Sequence, residues 1–410
     1  MRLGSWSPNW RGLVLLYGFI ITLLFCFFSL YRPPLLTLVG LKIYDAMLYA
    51  LPPSEGKNGP VLVNLDEKSL TEFGQWPWPR YRMAQLLDKL HQLAPRAVGL
   101  DILFAEPDRT SLHILQQELR HNFALRLDIS GLPEHMANND LALARSLARG
   151  PFVLGYKFLF EGEGSPGSER LLHPVVVAAR QRGSVRADAA LFTARAVITN
   201  ISELSLAASA SGFLNYPADA DGVLRRVPLL LKFQDQIYPS MALATAMLAM
   251  GRKNIVLDLE DGRLQAVLLD NHRIPVDEAG NLLLAYQGKH VFFDAVSAAD
   301  VLHDKVDKDR IAGKIILLGT TATGLMDTHT SPLDPHFPGV AVHATVVENI
   351  ITNHFLARPA WADGAELAFV FLLGLLSTFI LAMARPLFSL FLLVYGSAGL
   401  WYGSFFLLRE

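Results

Sequence analysis

The sequence contains little cysteine and little charge, and each shortage excludes a class of protein. Cys26 is the only cysteine among 410 residues, which excludes a disulfide framework, a zinc finger and an iron–sulfur centre. Charged residues make up 18% of the chain, less than the roughly 25% of an ordinary soluble domain. The formal net charge of −2 indicates neither a basic surface for nucleic acid nor an acidic tail.

The low charge content results from long uncharged runs at the two ends of the chain. Residues 12–30 carry no charge, and a helix of this length, about 28 Å, can cross a hydrocarbon core of roughly 30 Å. The residues that follow, YRPP at 31–34, do not form a small-residue cleavage site. They favour an uncleaved anchor over the alternative, a cleaved signal peptide. Residues 365–384 and 387–408 are predicted to form two further transmembrane helices.

The distribution of positive charge predicts how the spans are oriented. Arg2 and Arg11 precede the first span and Arg385 separates the last two, and such residues are typical of the cytoplasmic side. We therefore expect residues 1–11 in the cytoplasm and residues 31–364 outside the membrane.

After three crossings the C-terminal end would also lie outside. A cytoplasmic output domain would then require another crossing, so we expect either a reading frame cut short or an output domain in a separate subunit.

Between the membrane spans the pattern is that of an α/β domain. Short buried strands are predicted at 61–65, 97–104 and 314–318, and apolar residues at helical spacing occupy 83–93. A strand, a helix and a strand joined by short links favour a parallel βαβ unit. The DADG sequence at 219–222 predicts a hairpin turn. The predicted fold class is therefore α/β, a mixed sheet with flanking helices and β-hairpin insertions, together with transmembrane α-helices.

Several motifs in this segment resemble the CHASE type 2 domain. They are DEKSL at 66–70, GQWPWPR at 74–80, GLDILF at 99–104, EPD at 106–108, DLALA at 140–144, DGVLRRVP at 221–228, GTTATGLMD at 319–327, SPL at 331–333 and PGVAVHA at 338–344. They occur in family order and cover most of residues 40–356. The resemblance implies a sensory domain outside the inner membrane of a bacterial receptor, of the kind that carries cyclase or histidine-kinase output domains.

The motifs also supply the candidate ligand-binding residues. These are Asp66, Trp76, Trp78, Arg80, Asp101, Glu106, Asp108, Asp221, Arg225, Arg226 and Asp327. Asp66 and Asp101 follow predicted parallel strands, and ligands bind beyond the carboxyl ends of such strands. The arginines are suited to pairing with an anionic ligand. The other interpretation, that these residues are helix caps, turn residues, buried ion pairs and core tryptophans, stays open.

Other kinds of chemistry have weaker support in the sequence. His329, His336 and His343 recur at a spacing of seven, but prolines make this segment a turn-rich loop, so we predict neither a metal site nor a cofactor. The sequence after Gly324 lacks the Lys and Ser/Thr of a phosphate-binding loop, and no motif of a serine hydrolase or kinase is present. We therefore predict no enzyme activity, with a periplasmic hydrolase built on Asp66 and Asp101 as a minor alternative.

Together these observations predict a membrane-anchored sensor module in the bacterial inner membrane. It would detect a ligand or protein outside the membrane and pass the signal to its transmembrane helices. The alternative is a structural docking subunit of a membrane or envelope complex. The expected partners are membrane lipid, an unidentified ligand or protein outside the membrane, and a second copy or other subunits of a membrane complex, but no nucleic acid.

Overall fold

The computed structural model describes residues 8–50, 59–126, 131, 133, 137–160, 171–182, 190–289, 293–325, 327–357 and 361–383, with residues 391, 395–396, 398–399, 401–403 and 406. The chain forms two compact units. The helical unit consists of Met1–Pro52 and Arg358–Glu410, and the central domain is Pro53–Ala357. Most of the predicted span at 387–408 lies outside the described residues.

The secondary structure alternates between helices and short strands. The helices are α1 (Pro8–Tyr31), α2 (Pro34–Ala50), α3 (Glu67–Phe73), α4 (Arg80–Gln92), α5 (Leu112–Phe123), α6 (Asn139–Leu147), α7 (Ser202–Ala207), α8 (Met241–Ala249), α9 (Ala298–Leu302), α10 (Lys308–Ile311), α11 (Gly339–Thr352) and α12 (Ala362–Met383). The strands are β1 (Val61–Leu65), β2 (Ala97–Leu100), β3 (Phe152–Leu159), β4 (Val176–Arg182), β5 (Thr193–Ala194), β6 (Ala196–Ile198), β7 (Ala210–Phe213), β8 (Arg226–Pro228), β9 (Leu230–Phe233), β10 (Gln236–Pro239), β11 (Asn254–Glu260), β12 (Arg263–Leu269), β13 (His272–Pro275), β14 (Asn281–Leu283), β15 (Ala295–Ser297), β16 (Ile315–Thr320), β17 (Thr328–His329) and β18 (Phe337–Pro338).

Among the described residues of the helical unit, two helices are long and apolar enough to cross a membrane. They are Trp10–Tyr31 and Ala362–Met383, at the places where the first two spans were predicted. The helices pack through small residues, as membrane helices often do. A Cβ atom at Gly18 would lie 2.3 Å from Thr378, and one at Gly374 would lie 2.4 Å from Thr22. Each glycine thus accommodates the threonine of the other helix.

The central domain is built on a parallel sheet with the order β15-β1-β16-β2-β3-β7, and β6 adds an antiparallel strand beside β3. Alternate residues of a strand point to opposite faces. Val98 and Leu100 of β2 join the core formed with α4, α6 and α9, whereas Gly99 between them faces Met241 and Thr245 of α8. The sheet is therefore covered by helices on both faces, as parallel sheets usually are.

The predicted turn at 219–222 is present, but the predicted hairpin around it is not. Gly222 has a φ of +78° and its N–H donates to the Asp219 carbonyl at 2.8 Å. The strands on either side pair elsewhere, because β7 adds to the parallel sheet beside β3 and β8 pairs with β14. Antiparallel hairpins are instead formed by β9–β10, β11–β12 and β12–β13.

Candidate functional site

The carboxyl edge of the parallel sheet brings together three of the motif segments. β16 lies between β1 and β2, and the Asp101 N–H, just beyond β2, donates to the Leu318 carbonyl of β16 at 2.8 Å. The Gly339 N–H, at the start of α11, donates to the Asp327 carbonyl at 2.8 Å. The segment that ends in Asp327 and the first turn of α11 therefore meet the end of β2.

Five polar side chains meet at this place, and we call them the edge cluster. They are Asp101, Tyr216, Asp327, His329 and His343. His343 Nε2 lies 4.0 Å from Asp101 Oδ1, and His329 Nε2 lies 3.3 Å from Asp327 Oδ1. The Tyr216 ring contacts both imidazoles edge to face, with centroid distances of 4.7 Å to His329 and 5.1 Å to His343. The cluster thus contains two histidine–carboxylate pairs that share one tyrosine.

Two glycines, which have no side chain, allow the cluster to pack this closely. A Cβ atom at Gly339 would lie 2.4 Å from the Tyr216 hydroxyl and 3.6 Å from Asp101 Oδ2. One at Gly319 would lie 2.7 Å from Val340. A larger residue at either position would separate α11 from the end of the sheet.

The cluster is held with incomplete hydrogen bonding. His343 is only 2% exposed, and its Nε2 has no hydrogen-bond partner among the described residues; the same holds for Nε2 of His329. The Asp101 side chain is 18% exposed, and Asp327 lies at the surface. Because buried polar groups are almost always hydrogen-bonded, exceptions require an explanation, and a functional role is one of the usual ones.

Burial and neighbouring charges shift the protonation of the cluster. Burial, with a smaller effect of Asp327, raises the pKa of Asp101 to about 7, and His329 opposes this. Burial lowers the pKa of His343 to about 3. The His329 imidazole holds the pKa of Asp327 below its usual range, and burial next to the carboxylates raises the pKa of Tyr216. Near neutral pH, Asp101 is therefore the member of the cluster that gains or loses a proton.

The remaining predicted residues lie in other environments. Asp66 caps α3, accepting hydrogen bonds from the Ser69 N–H at 2.9 Å and from the Ser297 hydroxyl at 2.8 Å. Trp78 is 1% exposed in the core and donates its indole N–H to the Gly74 carbonyl at 2.9 Å. Trp76 packs, partly buried, against the same core.

Two predicted residues, Arg80 and Asp108, form a network beside α6. Asp108 accepts from the Arg80 N–H at 2.7 Å, and its own N–H donates to Asp140 Oδ2 at 3.0 Å. The Arg80 guanidinium lies 4.5 Å from the centre of the Phe104 ring, with Nε 3.6 Å from Asp140 Oδ1. Glu106 pairs with Arg109 at the surface.

The 221–226 motif forms a separate ion-pair group. Arg225 has a side chain only 1% exposed, and it donates to Asp219 and, through both terminal nitrogens, to Asp221, each at 2.9 Å. Arg226 is half-exposed and lies 3.9 Å from Asp277. Of the predicted residues, the structure therefore brings only Asp101 and Asp327 into the edge cluster.

Near the network, a cleft of about 850 Å³ opens beyond β2 and β6. Its walls include His113, Asn138, Asp140, Glu203 and Leu206. Asp140 is also a member of the Arg80 network, so the carboxylate that faces the cleft is already paired on one side.

Sequence reasoning missed Tyr216 altogether, and it considered His329 and His343 only as metal ligands. No group of three or more histidine, cysteine, aspartate or glutamate side chains in the described part of the chain is arranged to hold a metal ion. His343 was marked by its place in the PGVAVHA motif, but nothing near Tyr216 in the sequence distinguishes that residue from a core tyrosine.

Comparison with known proteins identifies one family. The model of the CHASE2 domain matches residues 20–379, which include the whole central domain and part of each candidate membrane helix. No curated protein and no solved structure matches the chain significantly.

Proposed function

The chain belongs to the CHASE2 domain family of extracellular sensory domains, and we propose that its central domain detects a stimulus at the edge cluster. The observation that carries this proposal is the meeting of Asp101, Asp327 and His343. They come from three separate motif segments, and His343 is left buried without a hydrogen bond at Nε2. Asp66, Asp108 and Asp221 accept several hydrogen bonds and have an evident structural role, and Glu106 pairs with Arg109 at the surface.

We further propose that the signal reaches α1 and α12, which flank the central domain in the sequence. These helices pack through Gly18 and Gly374, so a displacement of one is transmitted to the other. Their outward apolar residues suit contact with lipid. In this proposal residues 1–11 lie in the cytoplasm and the central domain lies outside the inner membrane, following the positions of Arg2 and Arg11.

The test is to ask whether the edge cluster controls the helix pair. Spin labels are attached to cysteines at the exposed positions Phe25 and Leu372, in a Cys26→Ser chain reconstituted in lipid nanodiscs. Changes at the cluster, Asp101→Asn and His343→Leu, are expected to shift the label distance by on the order of 1–2 Å, the size of signalling helix movements.

The matched control is Glu106→Gln, which changes an exposed carboxylate that pairs with Arg109. It should leave the label distance unchanged. If both cluster variants fold and neither alters the distance, the sensory proposal is wrong. A protein partner that co-purifies stoichiometrically with wild-type and variant chains alike would then favour a docking subunit.

A further inference from the structure

We propose that the edge cluster makes the domain respond to external pH, with Asp101 gaining or losing a proton next to His343. The inference rests on the proposed sensory function and names the proton as a stimulus of the same site. Its geometric basis is the 4.0 Å gap between Asp101 Oδ1 and His343 Nε2. This distance is about 1 Å longer than a hydrogen bond.

Protonation changes what Asp101 offers to its neighbour. An ionised carboxylate only accepts hydrogen bonds, whereas a protonated carboxyl group carries an O–H donor. That donor reaches the unpaired Nε2 of His343 if the gap closes by about 1 Å. Because His343 lies on α11 and Asp101 directly follows β2, closing the gap draws the helix toward the edge of the sheet.

The movement also involves the segment before α11. The Asp327 carbonyl accepts from the Gly339 N–H, and the same segment carries His329 in contact with Tyr216. A shift of α11 therefore moves the second histidine–carboxylate pair with the first. The two pairs respond together because Tyr216 contacts both rings.

The ionisable groups around Asp101 set its proton exchange near neutral pH. Asp327 and burial favour its protonated form, and His329 opposes them, with a resulting pKa of about 7. His343 stays uncharged, because its pKa is about 3. More distant groups act on the neighbours: Lys157 of β3 on Asp327, and Tyr286 on Tyr216. The covering helix α8 contains no ionisable side chain.

A carboxyl group farther along α11 has a pKa in the same range. Glu348 on α11 is 2% exposed, and burial raises its pKa to about 7. A pH response of α11 in the wild-type chain would therefore combine the titration of Asp101 with that of Glu348. For this reason Glu348→Gln is placed in every chain that is compared.

The experiment is amide hydrogen exchange of α11 at pH 6 and pH 8, corrected for the chemical exchange rate, on the full chain in nanodiscs. Local opening that returns Asp101 to water releases a proton bound with a pKa near 7. In the Glu348→Gln chain we expect protection of α11 to be about tenfold higher at pH 6 than at pH 8. Adding Asp101→Asn should abolish the difference, and adding Glu106→Gln should leave it intact.

A tenfold difference that survives Asp101→Asn would overturn the proposal, as would its absence from the Glu348→Gln chain. If Asp101→Asn fails to fold, His343→Leu provides the test. It removes the acceptor for the protonated carboxyl, so the midpoint of the pH response should move to lower pH, and an unchanged midpoint rules out the pair.

The two proposals fail in different ways. Loss of the pH response together with an intact spin-label shift would contradict proton sensing and leave the sensory role standing. The absence of a spin-label shift would contradict the sensory role itself.

Discussion

Replacing Arg225 with methionine is expected to destabilise the central domain strongly. The Arg225 side chain is 1% exposed and donates to Asp219 and Asp221 at 2.9 Å, and the Asp221 side chain is itself only 9% exposed. Removing one partner of a buried ion pair leaves an uncompensated charge, which costs about 3–5 kcal/mol. Methionine preserves most of the volume, so the loss reflects the ion pairs rather than a cavity.

The adjacent arginine supplies the matched control. Arg226 is 49% exposed and lies 3.9 Å from Asp277, and such surface pairs contribute about 0–1 kcal/mol. The free energies of unfolding of both variants are measured by pulse proteolysis in urea on the full chain in detergent. We expect Arg225→Met to lower the midpoint far more than Arg226→Met does.

A second substitution tests whether the unpaired Asp221 carboxylate causes the loss of stability in Arg225→Met. Adding Asp221→Asn to Arg225→Met removes the stranded charge and should recover part of the lost stability. If Arg225→Met costs no more than Arg226→Met, the buried pair contributes nothing measurable. Arg225 would then return to the list of residues available for an anionic ligand.

Three further predictions concern packing, pH and topology. Gly212→Ala would place a Cβ atom 2.6 Å from the Met241 backbone. Thermal unfolding should therefore show that the free energy of unfolding falls by about 1–3 kcal/mol or more. Burial raises the pKa of Glu348 to about 7. The contribution of Glu348 to the stability of the fold is therefore fully present below about pH 4.5, the pKa usual for an exposed glutamate. That contribution is lost as the pH rises through 7. Glu348→Gln should accordingly reduce the fall in stability measured between pH 5 and pH 8. A green fluorescent protein fused after residue 410 should be dark, because three spans would place it outside the cytoplasm; bright cells would contradict the three-span topology.

The sequence was sufficient to predict three strands of the parallel sheet, β1, β2 and β16. β1 at Val61–Leu65 coincides with the predicted strand at 61–65, and β16 at Ile315–Thr320 overlaps the predicted strand at 314–318. Strands buried on both faces consist of continuous apolar residues, so their limits are visible without any tertiary information. The two candidate membrane helices were predictable for a similar reason, because a helix that crosses lipid requires a long uncharged run.

The grouping of the polar residues was not predictable, because it depends on strand order. Asp66 and Asp101 both follow parallel strands, which suggested a common site. In the structure β16 separates β1 from β2, and Asp66 accepts hydrogen bonds from Ser69 and Ser297. Asp101 instead faces the side of the sheet covered by α11. The contacts of Asp66 with Ser297 and of Asp101 with His343 join residues more than two hundred positions apart, so nothing local in the sequence encodes them.

The hydrogen bonds of each carboxylate separate structural from functional candidates. Asp66 and Asp221 accept several bonds from neighbours that they hold in place, so changing them alters the fold before it alters any response. Asp101 accepts no side-chain hydrogen bond from the described residues and lies 4.0 Å from an equally unpaired imidazole. Replacing it removes no bond and relieves the cost of ionising a buried acid. Its loss should therefore leave the domain folded while altering its response, which is the behaviour that distinguishes a sensing residue from a structural one.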